Sequence, residues 1–477
     1  MDKLKYLLKN MGFLTLSSLG IKLISFFLVP LYTSILSTAE YGTYDLFNTT
    51  VSLLIPFLTL NIKESTIRFS LSSEYEKKDV FSISLQYGIY SVIVFGIFII
   101  VNHIWVIVQP IEDYKWLVLL MFISQVAQGV LTNFIRGLDR LKEIAISSVV
   151  CSLVIVSLNI IFLLPLHMGL TGYFIANIIG PMIQSLYLFI MCKGWKYISF
   201  AKRNKYLNKE MIHYSVPMIA NSTAWWINSV SDRYIIIWLC GVAENGIYSV
   251  ASKIPSLVDM FQGIFSQAWT LSAVKEFDSE DTNGFFSKMY SIYNMCMTLT
   301  SGLLIMFSRL LARFLYAKDF FEAWRYVPFL TIAVLFGALA GYCGAIFSAV
   351  KASKMFAYST MVGAMINIGL NCILINRLGA LGAAIATAIS YAVIYWLRLV
   401  TAKKFIKLKL NLIRDWIGYS LLIIQTVLFL VIENECWQLY IVQILLVSIL
   451  VLLFKEQLHM ILIKAIELIK KVNNKDA

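Results

Sequence analysis

The sequence predicts an all-α, polytopic membrane protein of about fourteen transmembrane helices, built as two six-helix lobes in a parallel pseudo-two-fold repeat plus two extra helices. Composition is the first reason. Of 477 residues, 59% are hydrophobic and only 14% charged, where a soluble chain carries about a quarter charged. Spacing is the second. The apolar residues fall in blocks of about 20, long enough to cross a hydrocarbon core as helix. The third is a short motif that recurs in the second half of the chain.

The blocks lie at 11–36, 44–66, 81–105, 114–136, 143–165, 169–191, 212–238, 246–271, 289–311, 325–347, 355–376, 380–400, 411–432 and 436–454. The first reads as a span and not a cleaved leader: it is too long, contains Lys22, and no small-x-small site follows. The expected organisation is an N-terminal lobe over 1–191, a cytoplasmic linker over 192–211 and a C-terminal lobe over 212–400. Spans thirteen and fourteen follow over 401–454, then a cytoplasmic amphipathic helix and tail over 455–477. In that last segment Leu458, Ile461, Leu462, Ala465, Ile466 and Ile469 share one helical face, suited to lying on a leaflet.

Lysine and arginine set the orientation. With the N-terminus inside, 31 of the 40 basic residues fall on the inner side, six on the outer and three within spans. Both termini are therefore expected in the cytoplasm. Arg309, Arg313, Lys318 and Arg325 dissent, lying between spans nine and ten. The net charge of +13 is an inner-surface feature that anionic lipid explains without nucleic acid. The seven cysteines and four histidines are scattered, with no metal or redox spacing, and no nucleotide-binding loop or cofactor motif occurs.

The hexapeptide AEYGTY, 39–44, returns as AENGIY, 243–248. The first joins spans one and two, the second spans seven and eight. Gly42 and Gly246 suit a tight turn, Tyr44 and Tyr248 suit interface anchors, and Glu40 and Glu244 would face outward. A second match pairs Asn159 with Asn371, and Gly169-x-x-Gly172 with Gly379-x-x-Gly382. Six spans per copy is an even number, so both copies enter the membrane the same way round, the frame of alternating access about a central cavity.

Polar residues at lipid depth are costly and normally face a bundle interior or water. Stripes at helical spacing mark four spans. Span one carries Thr15, Ser18, Lys22 and Ser25. Span two carries Asp45, Asn48, Thr49, Ser52, Pro56, Thr59 and Lys63. Span seven carries Asn221, Trp225, Asn228, Ser229, Asp232 and Arg233. Span eight carries Ser249, Ser252, Lys253, Ser256, Asp259, Gly263 and Ser266. Three intramembrane cations, Lys22, Arg233 and Lys253, suit an anionic substrate such as a phosphate or pyrophosphate. The alternative is that Asp232 and Asp259 pair with them as structural bridges. Ser18, Ser25, Asn48, Ser52, Asn221, Trp225, Asn228 and Ser256 complete the polar lining. Lys63, Glu64 and Arg68 at the inner end, and Glu40 and Glu244 at the outer, are candidate gates. Pro56 and Pro255 are candidate hinges.

The repeat, the fourteen spans and the opening run SFFLVPLYTSILSTAEYGTYDL, 25–46, together resemble the polysaccharide-transporter branch of the multidrug/oligosaccharidyl-lipid/polysaccharide exporter superfamily. That resemblance implies a non-enzymatic flippase of the bacterial plasma membrane. Its substrate would be undecaprenyl-pyrophosphate-linked oligosaccharide repeat units, moved from inner to outer leaflet for O-antigen, capsule or exopolysaccharide synthesis. It also implies a cationic central cavity and a lipid-tail groove at spans thirteen and fourteen. Membrane lipid, a coupling ion (H+ or Na+), a polymerase and other polysaccharide-assembly proteins are the expected partners. Two other readings remain open at this point: a multidrug or ion antiporter of the same superfamily, and a membrane polysaccharide polymerase or glycosyltransferase.

Overall fold

The computed structural model describes residues 26–72, 74–106, 109–199, 204–350, 352–432 and 437–460. Among them all regular structure is helical. In chain order the α-helices are α1 Val29–Ile35, α2 Thr38–Leu58, α3 Ile62–Leu71, α4 Lys77–Trp105, α5 Gln109–Gly137, α6 Leu141–Leu163, α7 Gly169–Met191 and α8 Lys205–Cys240. They continue with α9 Val242–Ala251, α10 Ser256–Lys275, α11 Phe285–Leu315, α12 Val327–Ala349, α13 Ser353–Leu378, α14 Ala380–Ala402, α15 Leu412–Val431 and α16 Trp437–Leu453. The expected linker at 192–211 holds a 3-10 turn, Gly194–Tyr197, and the first turns of α8.

Nine described helices are long and apolar enough to cross a membrane, and the bent pair α2–α3 makes a tenth. The expected spans seven, eight and fourteen are α8, the pair α9–α10, and the shorter apolar α16. Spans seven and eight fall short of that apolarity for the reason they were singled out in the sequence: polar stripes displace apolar side chains. Most of the first span, and the tail after residue 460, lie outside the described residues.

Contacts divide the chain into two compact units, Met1–Ser249 with Leu315–Phe320, and Val250–Phe314 with Phe321–Ala477. The first unit is cored by Phe81, Val130, Phe134, Ile135, Leu188 and Leu207. The second is cored by Trp269, Phe286, Tyr290, Phe336, Tyr342 and Tyr395. There Arg309, one of the four dissenting cations, is only 2% exposed. Its guanidinium lies 3.8 Å from the Trp324 ring centre and 5.2 Å from that of Phe429, so the cation is sheathed by π-faces. Arg325 is neutralised by Glu322 at 3.0 Å.

The second repeat match is the same hairpin built twice. Gly169 and Gly379 hold φ of +53° and +60°, the left-handed region that glycine enters without a Cβ penalty. Three residues on, a Cβ on Gly172 would lie 2.8 Å from Phe162 Cβ, and one on Gly382 2.4 Å from the Leu374 backbone. Each second glycine lets the returning helix press against the one before it.

Span two is broken. α2 and α3 meet at 60°, with Leu60 and Asn61 at φ of 49° and 51°. The backbone N–H of Asn61 donates to the carbonyl of Pro56 at 2.7 Å, and the Asn61 amide donates to Ser222 Oγ at 3.1 Å. Span eight breaks over residues 252–255, ending at Pro255. Both hinge candidates thus adjoin real interruptions of the helix.

Candidate functional site

The two hexapeptides meet each other. The sequence reading placed them in turns, but both are helical, in the first turns of α2 and α9. A Cβ on Gly42 would lie 2.0 Å from the carbonyl oxygen of Val242, and one on Gly246 2.0 Å from that of Thr38. No side chain fits at either place. The glycines serve a close backbone crossing of the small-residue kind that membrane helices use, not a turn. Glu40 closes a capping box: its carboxylate accepts from the Ser37 backbone N–H at 2.8 Å, and Ser37 Oγ accepts from the Glu40 N–H at 3.2 Å. Glu244 lies in the first turn of α9.

Below the crossing is a buried charged cluster. Arg233 Nη1 donates to Asp45 Oδ1 at 2.6 Å. The same carboxylate accepts from Ser249 Oγ at 2.8 Å and from the Asn245 amide at 3.2 Å. Asp232 accepts from Tyr248 Oη at 2.5 Å and from the backbone N–H of Arg233 at 2.9 Å. Asp45, Asp232, Asn245, Tyr248 and Ser249 are all at most 7% exposed. Burying an ion pair is favourable only when its remaining lone pairs are satisfied, and here hydroxyls and an amide from α9 do so. Asp45 and Ser249 are 204 residues apart, the offset between the two motifs. Equivalent positions of the repeat therefore bond to each other across a local two-fold that passes between the glycines. Tyr44, expected as an interface anchor, instead packs on Tyr173 and Phe174, with ring centres 4.6 and 5.2 Å away.

A cavity of about 670 Å³ lies within the first unit, walled by α2, α3, α5, α6 and α7. Asn48 and Ser52, both picked from the sequence, line it, and so does Lys63. Gln125, Gln128 and Gln184, which sequence reasoning passed over, supply the opposite wall. They make two separate sets of bonds: Gln125 Nε2 donates to Asn48 Oδ1 at 3.0 Å, while Gln128 Nε2 donates to Gln184 Oε1 at 2.5 Å and Gln184 Nε2 to Ser148 Oγ at 3.1 Å. Among the described lining residues there is one cation, Lys63, and no carboxylate.

A second, open pocket of about 1080 Å³ lies where the C-terminal end of α3 meets the start of α8. Arg68 sits there with its guanidinium 4.6 Å from the Tyr214 ring centre. Lys209 and His213 line the same pocket. Tyr75 Oη donates to Glu210. That hydrogen bond, with a second from Tyr206, holds the Glu210 carboxyl below its ordinary range.

The structure thus gathers Arg233 with Asp232, and Asn48 and Ser52 with Lys63. Lys253 is half-buried at the break between α9 and α10, where its carbonyl accepts from Ser256 Oγ at 2.6 Å; it belongs to the second unit. Asp259 is exposed on α10 and Glu64 half-buried in the first turn of α3. Ser18, Lys22 and Ser25, and the side chains of Asn221, Trp225 and Asn228, lie outside the described residues. Among the described residues no group of His, Cys, Asp and Glu is placed to hold a metal ion.

A family profile described as polysaccharide biosynthesis protein matches residues 7–271, more than half of the chain. The chain belongs to this family. It is 24% identical over 278 residues to an uncharacterized membrane protein of Methanocaldococcus jannaschii, a match that spans 54% of this chain and 64% of that protein. Its fold is shared with two proteins of known structure. The structure of the lipid II flippase MurJ in an inward closed conformation superposes with a TM-score of 0.71 at 16% identity, over 94% of this chain and 99% of that one. An inward-facing multidrug resistance MATE transporter superposes with a TM-score of 0.62 at 14% identity, over 82% and 94%. Both similar structures are transporters.

Proposed function

We propose that this member of the polysaccharide biosynthesis family is a flippase that turns undecaprenyl-pyrophosphate-linked oligosaccharide from the inner to the outer leaflet by alternating access. The observation that carries the reading is the lining of the 670 Å³ cavity: amides and hydroxyls, one lysine, and no carboxylate among the described residues. Amides present donors and acceptors together, which matches sugar hydroxyls. A cationic drug would call for acids, so this lining weighs against the multidrug reading. Family membership points the same way.

In this mechanism the pyrophosphate is held by Lys22 and competes with Asp45 for Arg233. Once Arg233 turns to the phosphates, the carboxylate of Asp45 loses its cation, and the glycine crossing of α2 and α9 loosens at what the charge bias makes the outer face. The breaks at 59–61 and 252–255 absorb the motion. The polyprenyl tail stays in lipid. An H+ or Na+ gradient drives the cycle, since one charge crossing gains about 2.3 kcal/mol per 100 mV.

The test is translocation of a labelled undecaprenyl-pyrophosphate-linked oligosaccharide by the purified protein in vesicles. Lys22→Ala and Arg233→Ala are expected to reduce it at least tenfold. Parental rates in both variants would remove the cations from the mechanism, and no translocation by the parent would remove the flippase reading itself.

A further inference from the structure

We propose that the open pocket where the C-terminal end of α3 meets the start of α8 holds the zwitterionic headgroup of a phospholipid, a phosphate diester joined to a primary ammonium. The phosphate sits at Arg68 and Lys209, and the ammonium at Glu210 and Glu74. This pocket shares no lining residue with the cavity of about 670 Å³, and its ligand does not depend on what the protein transports.

Three observations support it. First, the lining has the polarity of an amphiphile. Along α8 it runs from Tyr206 to Met218, about 18 Å of helix at 1.5 Å per residue. Lys209, Glu210 and His213 come first, and Pro217 and Met218 come last. With the orientation expected from the bias of lysine and arginine, the start of α8 lies at the inner surface. Charge then meets the headgroup layer, and the apolar part faces the acyl chains. Leu71, 62% exposed, extends that apolar part. A soluble ester would leave it wet.

Second, the phosphate position is prepared. The Arg68 guanidinium lies 4.6 Å from the Tyr214 ring centre. Among the described residues no carboxylate, carbonyl or hydroxyl accepts from it. Its fork of N–H donors is therefore open to phosphate oxygens, which a guanidinium meets two at a time. Lys209 adds a second cation to the same lining.

Third, the charges of the lining cancel. Arg68 and Lys209 are matched by Glu74 and Glu210. Basic pockets at the inner face draw anionic headgroups, but here such a headgroup would also meet two carboxylates. Hydrogen bonds from Tyr75 and Tyr206 hold Glu210 ionised and in place. An ionised carboxylate has about four acceptor sites, so room remains for an ammonium. The Tyr206 ring, 66% exposed, offers a π-face to the same cation.

The experiment uses the full chain, purified in detergent and stripped of lipid, and reads adducts by native mass spectrometry. The probes are dioctanoyl phosphatidylethanolamine, dioctanoyl phosphatidylglycerol and soluble O-phosphoethanolamine. The parent is expected to bind the ethanolamine lipid at least fivefold more tightly than the glycerol lipid. Glu74→Gln with Glu210→Gln is expected to remove that preference. Glu74→Gln alone, at an exposed position between α3 and α4, is expected to reduce it and keeps the test open if the double variant unfolds. Arg68→Gln is expected to weaken both lipids at least fivefold.

Equal affinity for the two lipids in the parent, an undiminished preference in Glu74→Gln, or parental binding in Arg68→Gln overturns the proposal. The soluble ester separates two sources of the same group. The lipid is expected to stay bound against an equal concentration of O-phosphoethanolamine. A soluble ester that binds as tightly as the lipid would assign the pocket to the free ester and overturn the phospholipid.

Discussion

The helices that carry the two hexapeptides, α2 and α9, share a backbone and differ in chemistry. Each presents a glycine to the other at the same depth, and neither glycine has room for a Cβ. One turn further on, α2 carries an acid, Asp45, and α9 carries a serine, Ser249. α2 runs 21 residues before it breaks, while α9 runs ten. The two helices share what closes the crossing and differ in what surrounds it. The shared part is steric and the divergent part electrostatic, and they can be broken separately.

The largest effect is expected from the divergent side. Asp45→Ala leaves the half-buried Arg233 without its carboxylate partner, a loss of up to about 3–5 kcal/mol, read as a lowered midpoint of thermal unfolding in detergent. If the local two-fold governs the cluster, the exchange Asp45→Ser with Ser249→Asp returns an acid to the same place from the other helix and recovers most of that loss. No recovery would mean that the equivalence of the two positions is only one of backbone.

The shared side comes next. Gly42→Ala and Gly246→Ala each drive a methyl into a carbonyl oxygen of the opposite helix, and overpacking of this kind costs about 1–3 kcal/mol. The two substitutions are expected to cost equal amounts, since the local two-fold makes their contacts equivalent, each Cβ 2.0 Å from a carbonyl oxygen. Unequal costs would show that one helix yields and the other does not.

The smallest effect lies away from the crossing, where α3 meets α8. Glu210 is held below its ordinary range by the hydrogen bond from Tyr75, so the tie contributes stability above the unfolded carboxylate pKa of about 4.3. That contribution is lost as the pH falls through the lower folded value. Tyr75→Phe is expected to move the Glu210 titration upward, measured by NMR of carboxyl-labelled glutamate. An unmoved titration would assign the shift to Tyr206 alone.

Lipid made the spans legible, because a crossing helix must be apolar over a fixed length, whatever it packs against. Asn48 and Ser52 were legible too, since helical spacing places them on one face. The crossing was not. Gly42 follows a non-helical residue by only a few positions, and glycine near a helix start is as consistent with a turn as with close packing. Ser37 and Glu40, at capping-box spacing, were the sequence signal that the helix begins before the glycine. Asp45 was visible as one member of a stripe, but its bond to Arg233 joins residues 188 apart, a distance that no periodicity spans. Gln125, Gln128 and Gln184 were passed over because a search for intramembrane charge does not register neutral amides. Their i,i+3 start at Gln125 and Gln128 was the available clue.

The seam at Gly42 and Gly246 has a consequence for what one covalent chain can do that a pair of identical half-length chains cannot. In a symmetric pair every substitution near the axis acts twice, so an aspartate at this depth would arrive with its own image. Ser249 Oγ lies 2.8 Å from the Asp45 carboxylate, and two carboxylates in those places would repel. Joining the halves end to end frees each position from its image. A lone acid can then meet a lone arginine at the centre of an otherwise symmetric contact.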